Sequence, residues 1–401
     1  MTPHIAIDIA RSSALSMAQE LTLMRAAMAQ SPASKALTQR FAALLVANYC
    51  WDEAIPLLET IIEDDPGFVW YEALSLSHLA QKKVADTKQA QYAARRACDV
   101  ALTPEQRGRG LALLGKTHIR LHDNVSAEAT LIDALVADPQ HKDAYKRLTE
   151  LYLKQNRPGD VLALADRLAA LGVCHARLLA SRTLAYAQRG DEAAAQATID
   201  LPRFVERLML PPPAGWTDIA TFNEGLRDEI LSLTTQHDNC DGSAARQARR
   251  IDEPENSEGT LVAILEQCVA QAVAAYVASI DGIDHPWVHA KPARGRLHSW
   301  VVMTEGKGFE DWHAHQYGWL SGAYYVAVPE RSVRGDDAAG CIAFGLPGDH
   351  IGADGAARFG QQIERIESGL LLLFPSHAFH RTFVCPSPEL RMCFAFDVWP
   401  A

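Results

Sequence analysis

Three things are scarce in this 401-residue chain. Its eight cysteines (Cys50, Cys98, Cys174, Cys240, Cys268, Cys341, Cys385 and Cys393) include no Cys-x-x-Cys pair. That spacing argues against a disulfide framework or a thiolate zinc site, in a chain long enough not to need staples, and predicts free, buried thiols. Positive charge is short as well: 38 Lys and Arg stand against 49 Asp and Glu, a net charge of −11. Phosphate binding needs clustered Lys and Arg, so a nucleic-acid surface is not expected, local patches such as residues 246–250 aside. Long apolar runs are the third scarcity. Residues 1–18 carry Asp8 and Arg11 inside their apolar part, which spoils a signal-peptide core, and no later run is expected to approach eighteen uncharged apolar residues. A cytoplasmic protein without a membrane span is the expectation.

What is present in quantity is apolar side chain, 48% of the residues, enough for well-buried cores in two or three domains. From about residue 13 to 205 the chain is rich in Ala and Leu with helical periodicity, and its punctuation recurs. Asp65-Pro66, Thr103-Pro104, Asp138-Pro139, Leu171-Gly172 and Leu201-Pro202 follow one another at intervals of 38, 35, 33 and 30 residues. Between them lie inner turns at Tyr49-Cys50-Trp51-Asp52, His122-Asp123-Asn124, Asn156-Arg157-Pro158-Gly159-Asp160 and Gln188-Arg189-Gly190-Asp191. Each sets a polar turn, with a helix-capping Asp or Ser, before an apolar-periodic helix. These units resemble tetratricopeptide repeats, about four or five of them; a non-repetitive helical bundle is the other reading of the same periodicity. A stacked solenoid offers an extended surface of the kind that takes peptides or proteins, although repeats also serve as buttresses or dimer contacts.

Pro211-Pro212-Pro213-Ala214-Gly215 cannot continue a helix and marks a boundary. After it, residues 218–233 and 261–280 read as amphipathic helices, and residues 237–258, rich in Asp, Asn, Gly, Ser and Arg, read as a long polar loop. From Arg296 the chain turns to short strands at 297–304, 323–328, 341–344, 370–374, 381–385 and 392–398, with turn signals between them, which suggests a barrel or sandwich.

Within that region stands Trp312-His313-Ala314-His315. If the segment is a strand, the period of two puts His313 and His315 on one face, about 6 to 7 Å apart, close enough for one metal ion. The run Gly369-Leu370-Leu371-Leu372-Leu373-Phe374-Pro375 reads as a buried strand that delivers His380 just past its end, and Arg391 follows eleven positions later. Three protein ligands with open positions are what Fe(II) oxygenases use, so that O2 and a cosubstrate can both reach the iron. Zinc, and iron without a cosubstrate, also accept three histidines. A guanidinium inside a small barrel needs an anion, which favours a carboxylate ligand beside Arg391 over a surface salt bridge. Asp311 shares the alternating face and is an alternative ligand. Tyr324 and Tyr325 adjoin, so one of them faces the cavity; Trp312 and Trp319 either wall an entrance or pack. His298, His350 and His377 are assigned no chemistry.

The order of a two-ligand motif, a distal histidine and an arginine about ten residues on resembles the Fe(II)/2-oxoglutarate-dependent dioxygenases. The wording of Ser299-Trp300, His313-Ala314-His315, residues 318–329, Leu373-Phe374-Pro375-Ser376 and residues 391–396 is similar to a bacterial and phage branch of those oxygenases that often follows tetratricopeptide repeats. The resemblance covers roughly residues 206–401. It implies a double-stranded β-helix, jelly-roll or cupin-like, with the two helices outside it. It further implies Fe(II) held by His313, His315 and His380, and 2-oxoglutarate as cosubstrate with its far carboxylate on Arg391. Tyr325, Tyr324 or Cys393 would stand beside that carboxylate, and O2 would complete the set. Most of the superfamily has Asp or Glu where this chain has His315, and relatives usually place Ser where Cys393 stands.

The expected architecture is therefore multidomain α + β. A helical repeat solenoid (1–205) leads through a Pro-rich linker, helix and polar loop (206–260) to the oxygenase core (261–401). The expected activity is hydroxylation, with release of succinate and CO2, of a protein or peptide partner recruited by the solenoid. The alternative is a repeat scaffold whose barrel binds a metal or ligand without turnover.

Overall fold

The computed structural model describes residues 5–10, 17–81, 83–233, 237–238, 244–254 and 256–401. After a short strand, β1 (Ala6–Ile9), the first half is helical: α1 (Met17–Gln30), α2 (Lys35–Ala47), α3 (Trp51–Asp64), α4 (Phe68–Ala80), α5 (Val84–Val100), α6 (Pro104–Arg120), α7 (Asn124–Ala137), α8 (Lys142–Lys154), α9 (Pro158–Ala170), α10 (Ala176–Arg189), α11 (Glu192–Ile199) and α12 (Leu201–Phe204). The predicted punctuation falls at the ends of α3, α5, α7, α9 and α11, and the predicted inner turns separate α2 from α3, α6 from α7, α8 from α9 and α10 from α11. Side-chain caps explain the starts: Thr103 accepts from the Gln106 amide, Asp123 from Ser126 and Asp191 from Ala194. Alanine is what lets the helices close up, with Ala42, Ala54, Ala90, Ala93, Ala97, Ala127 and Ala134 fully buried. At Gly115 even a methyl is too much, since a Cβ there would lie 2.6 Å from Leu131 on α7.

The chain divides into two compact units. One holds residues 17–155 and 170–173; the other holds β1, residues 156–169 and residues 174–401. Composition places the domain boundary near 205, whereas packing groups α9, α10, α11 and α12 with the second unit.

That second unit continues with β2 (Glu206–Met209), α13 (Ile219–Ser232), β3 (His237–Asp238), β4 (Ala245–Asp252), α14 (Leu261–Ser279), α15 (Pro286–His289), β5 (Arg294–Glu310), β6 (Leu320–Ala327), α16 (Glu330–Arg334), β7 (Ile342–Phe344), α17 (Gly348–Ile351), α18 (Ala353–Phe359), β8 (Gln362–Glu364), β9 (Leu370–Pro375), β10 (His380–Thr382) and β11 (Arg391–Pro400). The major sheet runs β2-β9-β6-β11-β5-β4-β3, with β1 parallel to the start of β5; a minor sheet runs β10-β7-β8. The two sheets face each other across an apolar interior, where Phe344 of β7 meets Phe374 of β9 edge to face at 5.0 Å. The result is a mixed α and β architecture: tetratricopeptide-like repeats, then a curled, mostly antiparallel jelly-roll-like domain.

Residues 206–260 contribute more than linker, helix and loop. Glu206–Met209 adds an edge strand to β9, and Ala245–Asp252 pairs with β5. The sequence hides β4 because Gln247 takes φ 49° at a bulge, which breaks the period of two, and because charged residues occupy both of its faces: Arg249 pairs with Glu305, while Arg250 lies over the Trp300 ring on the cavity side with Asp252 as its ion-pair partner. Residues 239–243, Cys240 among them, and residue 255 lie outside the described residues.

Among the described residues one helix, α14, is long and apolar enough to cross a membrane by length and composition, although Glu266 interrupts its apolar run. Here it packs on the outer face of the major sheet. It buries Val262, Leu265, Val269, Val273 and Val277, and its Glu266 accepts hydrogen bonds from Ser299 of β5 and from Asn256. On the same outer face, α13 presents Asn223 to the Tyr324 hydroxyl.

His377 joins α11 to the barrel: its Nε2 lies 3.2 Å from the Thr198 carbonyl, while its Nδ1 is buried with no hydrogen-bond partner. Protonation would put a charge there without an acceptor, and burial pushes the ring down to about 3. In the folded state this group binds fewer protons than in the unfolded chain, where its pKa is about 6.5. Its contribution is present above that value and is lost as pH falls toward 3, with a slope of up to about 1.4 kcal/mol per pH unit. Urea unfolding between pH 6.5 and 4 is expected to show this slope, and His377→Gln, which can still donate to Thr198, is expected to flatten it; an equally steep variant refutes the assignment.

Candidate active site

The three histidines come together from two chain segments. The segment carrying His313 and His315 is not a regular strand, contrary to the sequence expectation. It is an extended connection after β5, held to the barrel by single bridges. The His313 and His380 backbones exchange hydrogen bonds at 3.0 and 2.9 Å, and the His315 amide donates to the Ser376 carbonyl at 2.9 Å. His380 opens β10 after the turn that follows β9. The ring centroids lie 4.2 to 5.2 Å apart, and the candidate ligand atoms all fall within 4.8 Å of one another.

Each ring is oriented through its Nδ1. His313 Nδ1 donates to the Asp311 carbonyl (2.7 Å), His380 Nδ1 to the Ala378 carbonyl (3.0 Å) and His315 Nδ1 to the Asp397 carboxylate (2.5 Å). A carbonyl or carboxylate can only accept, so Nδ1 carries the hydrogen and Nε2 keeps its lone pair. Burial pushes His313 and His380 below the ordinary imidazole range, which keeps them neutral. Three such nitrogens are a donor set for a borderline transition metal.

A cavity of about 360 Å³ opens from the triad between the two sheets. Alternation along β11 puts Arg391, Cys393, Ala395 and Asp397 on its wall, and Tyr325 of β6 lies beside Cys393 in register. Arg391 is 3% exposed, and among the described residues neither its Nε nor its Nη1 has a hydrogen-bond partner; the Tyr325 hydroxyl is likewise buried without one among them. The guanidinium carbon stands 5.3 Å from the centroid of the Tyr325 ring. Burial raises the Tyr325 phenol and pushes the Cys393 thiol up to about 12, so both stay protonated beside the cation. A buried guanidinium with unused donors is a site for an anion.

The remaining sequence candidates separate. Tyr324 does not line the cavity: it points to α13, which corrects its assignment to the cosubstrate. Asp311 pairs with Arg246 at 3.2 Å and turns only its carbonyl to His313. Trp319 stacks on Trp287 at 4.9 Å as packing, while Trp312 borders an outer cavity of about 470 Å³ that also touches His313. Sequence reasoning missed Asp397, Glu310 and Trp300, all on the inner cavity wall. The signal for Asp397 was available, because it continues the alternation from Arg391 by three more steps of two.

Residues 298–397 match the family described as "Putative 2OG-Fe(II) oxygenase". That segment is similar to this family over about a quarter of the chain. No curated protein matches the chain. Among solved structures, the pilF protein of Pseudomonas aeruginosa is similar at 17% identity over 45% of this chain and 81% of its own, with a TM-score of 0.37. A thermophilic TPR protein from Thermus thermophilus is 21% identical over 38% and 81%, with a TM-score of 0.32. A Pseudomonas putida prolyl-4-hydroxylase is 14% identical over 50% and 96%, with a TM-score of 0.33.

The family implies Fe(II), 2-oxoglutarate and O2. The oxygenase domain fits them on its own chemistry: a triad of imidazole nitrogens for the metal and a buried guanidinium, with donors unpaired among the described residues, for a dicarboxylate. Removing one ring is expected to abolish tight metal binding without unfolding the barrel. Elemental analysis after Fe(II) or Zn(II) loading and dialysis is expected to give about one equivalent for the wild type and far less for His380→Ala; full retention by the variant counts against the triad.

Proposed function

We propose that the protein is an Fe(II)- and 2-oxoglutarate-dependent dioxygenase that hydroxylates a side chain of a polypeptide. The observation that carries the reading is the convergence, in one cavity, of three Nε2 lone pairs with an unpaired buried guanidinium. A structural ion pair would have given Arg391 a protein carboxylate, and a bare zinc site would not need it.

In this reading His313, His315 and His380 would hold the iron through their Nε2 atoms. Bound iron and 2-oxoglutarate supply the oxidising chemistry: one atom of O2 leaves in succinate alongside CO2, and the other enters a substrate C–H bond as hydroxyl. Arg391 takes the far carboxylate, and the Tyr325 hydroxyl donates a second hydrogen bond to it. Cys393 is a weaker donor than the Ser of relatives, so the arginine carries more of the recognition. Phe374, Ile342 and Ala323 line the cavity with apolar surface, which excludes water from the reacting atoms.

Two observations favour a polypeptide substrate. The repeat-type helix α10 reaches the site: Arg177 donates through Nε and Nη2 to Gln316 Oε1 at 2.9 and 2.7 Å, and Gln316 lines the cavity next to His315. In the other unit, half-buried Lys116 is pushed down to about 8 by burial and by the neighbouring Arg147, Arg120 and Lys146. Asp143 opposes that shift, and Arg147 and Lys146 already pair with Asp143 and Glu150, but the cations still outnumber the carboxylates here, which suits a partner segment bearing carboxylates.

Arg391→Ala is expected to keep its iron and lose cosubstrate affinity by roughly 30- to several-thousand-fold, the equivalent of about 2 to 5 kcal/mol for truncating a buried charge-assisted pair. Titration of 2-oxoglutarate into the anaerobic Fe(II) protein, followed by its visible charge-transfer band, measures this; unchanged affinity rejects the pocket assignment. Turnover separates the enzyme from a metal-binding scaffold. Iron-dependent succinate formation and a +16 Da product on a polypeptide trapped by the iron-free protein are the expected results. No succinate under any condition favours the scaffold, and full activity on a free metabolite removes the polypeptide proposal.

A further inference from the structure

The three Nδ1 acceptors are not equivalent. His313 and His380 are backed by backbone carbonyls, which are neutral, whereas His315 is backed by a buried carboxylate. Asp397 Oδ1 accepts from His315 Nδ1 at 2.5 Å and from the Ser321 hydroxyl at 2.6 Å; Ser321 is itself 2.8 Å from the Ser376 hydroxyl, and Trp399 Nε1 stands 3.5 Å from Oδ2. Among the described residues no Lys or Arg forms an ion pair with Asp397, which is 5% exposed. The chain also clears space for it: a Cβ at Gly318 would lie 2.4 Å from Ser376 Oγ and 3.0 Å from Asp397 Cγ.

A buried carboxylate whose company is one imidazole and hydroxyls is costly unless a cation lies nearby. The facial set of ferrous oxygenases is two histidines and one carboxylate, which lowers the charge of the metal site by one. Three imidazoles alone do not. We propose that Asp397 supplies that missing negative charge from behind His315, so that the two residues together act as the anionic ligand of the set. The proposal rests on the ferrous oxygenase reading and adds Asp397 to it as a positioning residue, with Ser321 and Gly318 shaping its place.

Cobalt(II) is the probe, since it binds without oxidation and reports its ligands by visible absorption. Asp397→Asn keeps the shape and removes the charge; Co(II) affinity is expected to fall 10- to 100-fold and the absorption bands to move, with Ser321→Ala changing affinity by no more than a few fold. Returning the charge as a direct ligand, in the double variant His315→Asp/Asp397→Asn, is expected to restore affinity above that of Asp397→Asn. Wild-type affinity in Asp397→Asn, or a double variant no tighter than it, overturns the proposal while leaving the wild-type chelate and the oxygenase reading intact. Absence of Co(II) binding by the wild type would remove the reading itself and the proposal with it. Nitrogen-15 NMR of the wild-type imidazoles is a second measurement that does not depend on the variants folding. His315 is expected to carry its proton on Nδ1, shifted further downfield than those of His313 and His380; a proton on Nε2 overturns the assignment.

Discussion

Three imidazoles must stay neutral and one guanidinium charged inside a cavity of about 360 Å³, and much of the barrel follows from that requirement. Buried polar atoms are stable only when each has a partner or a ligand that will become one. The Nδ1 atoms are satisfied locally, by carbonyls two residues upstream for His313 and His380 and by Asp397 for His315. What is left over, three Nε2 lone pairs and the Nε and Nη1 donors of Arg391, has no hydrogen-bond partner among the described residues. Those leftovers share one cavity, so the polar economy of the fold and its chemistry are the same arrangement viewed from two sides.

Strand register carries this arrangement over distance. On β11 the alternating positions Arg391, Cys393, Ala395 and Asp397 face inward, and the intervening Met392, Phe394, Phe396 and Val398 are fully buried on the other side. A slip of one residue would exchange the cation for a methionine and the His315 partner for a valine. The outer face therefore protects the inner one: α13 and α14, by packing on the sheet, hold the register in which Arg391 stands against Thr304 and Asp397 against His298.

Most of the architecture was legible because its signals are local. The turns at Asp65-Pro66, Asp138-Pro139 and Gly190-Asp191 are written in residues that cap or stop helices, and β9 is written as Leu370 to Phe374. The histidines and Arg391 were readable from order and spacing. Hidden from the sequence were features that only pairing creates. β1 and β2 are four residues long, too short for a period to emerge; β4 is interrupted by its bulge; and His313 and His315 share a site through backbone bridges, without a strand. Which of two adjacent tyrosines faces inward depended on a partner 101 positions away, Asn223. Asp397 lies on a readable alternation, yet its meaning appeared only with His315 2.5 Å from it.

The helices α10 and α11 are built like the repeats that precede them, but their neighbours are different. Arg177 reaches Gln316 beside the triad, Glu192 pairs with Arg358, and Thr198 accepts from the His377 ring. Repeats within an array interact mainly with their immediate neighbours, so units can be gained or lost in the course of descent at modest cost. That freedom ends at α10. Insertions and deletions among the earlier pairs can lengthen or shorten the array while the chemistry persists, whereas the last pair is inherited with the barrel, and a transplant of the oxygenase to another scaffold would have to be cut upstream of it, near residue 156.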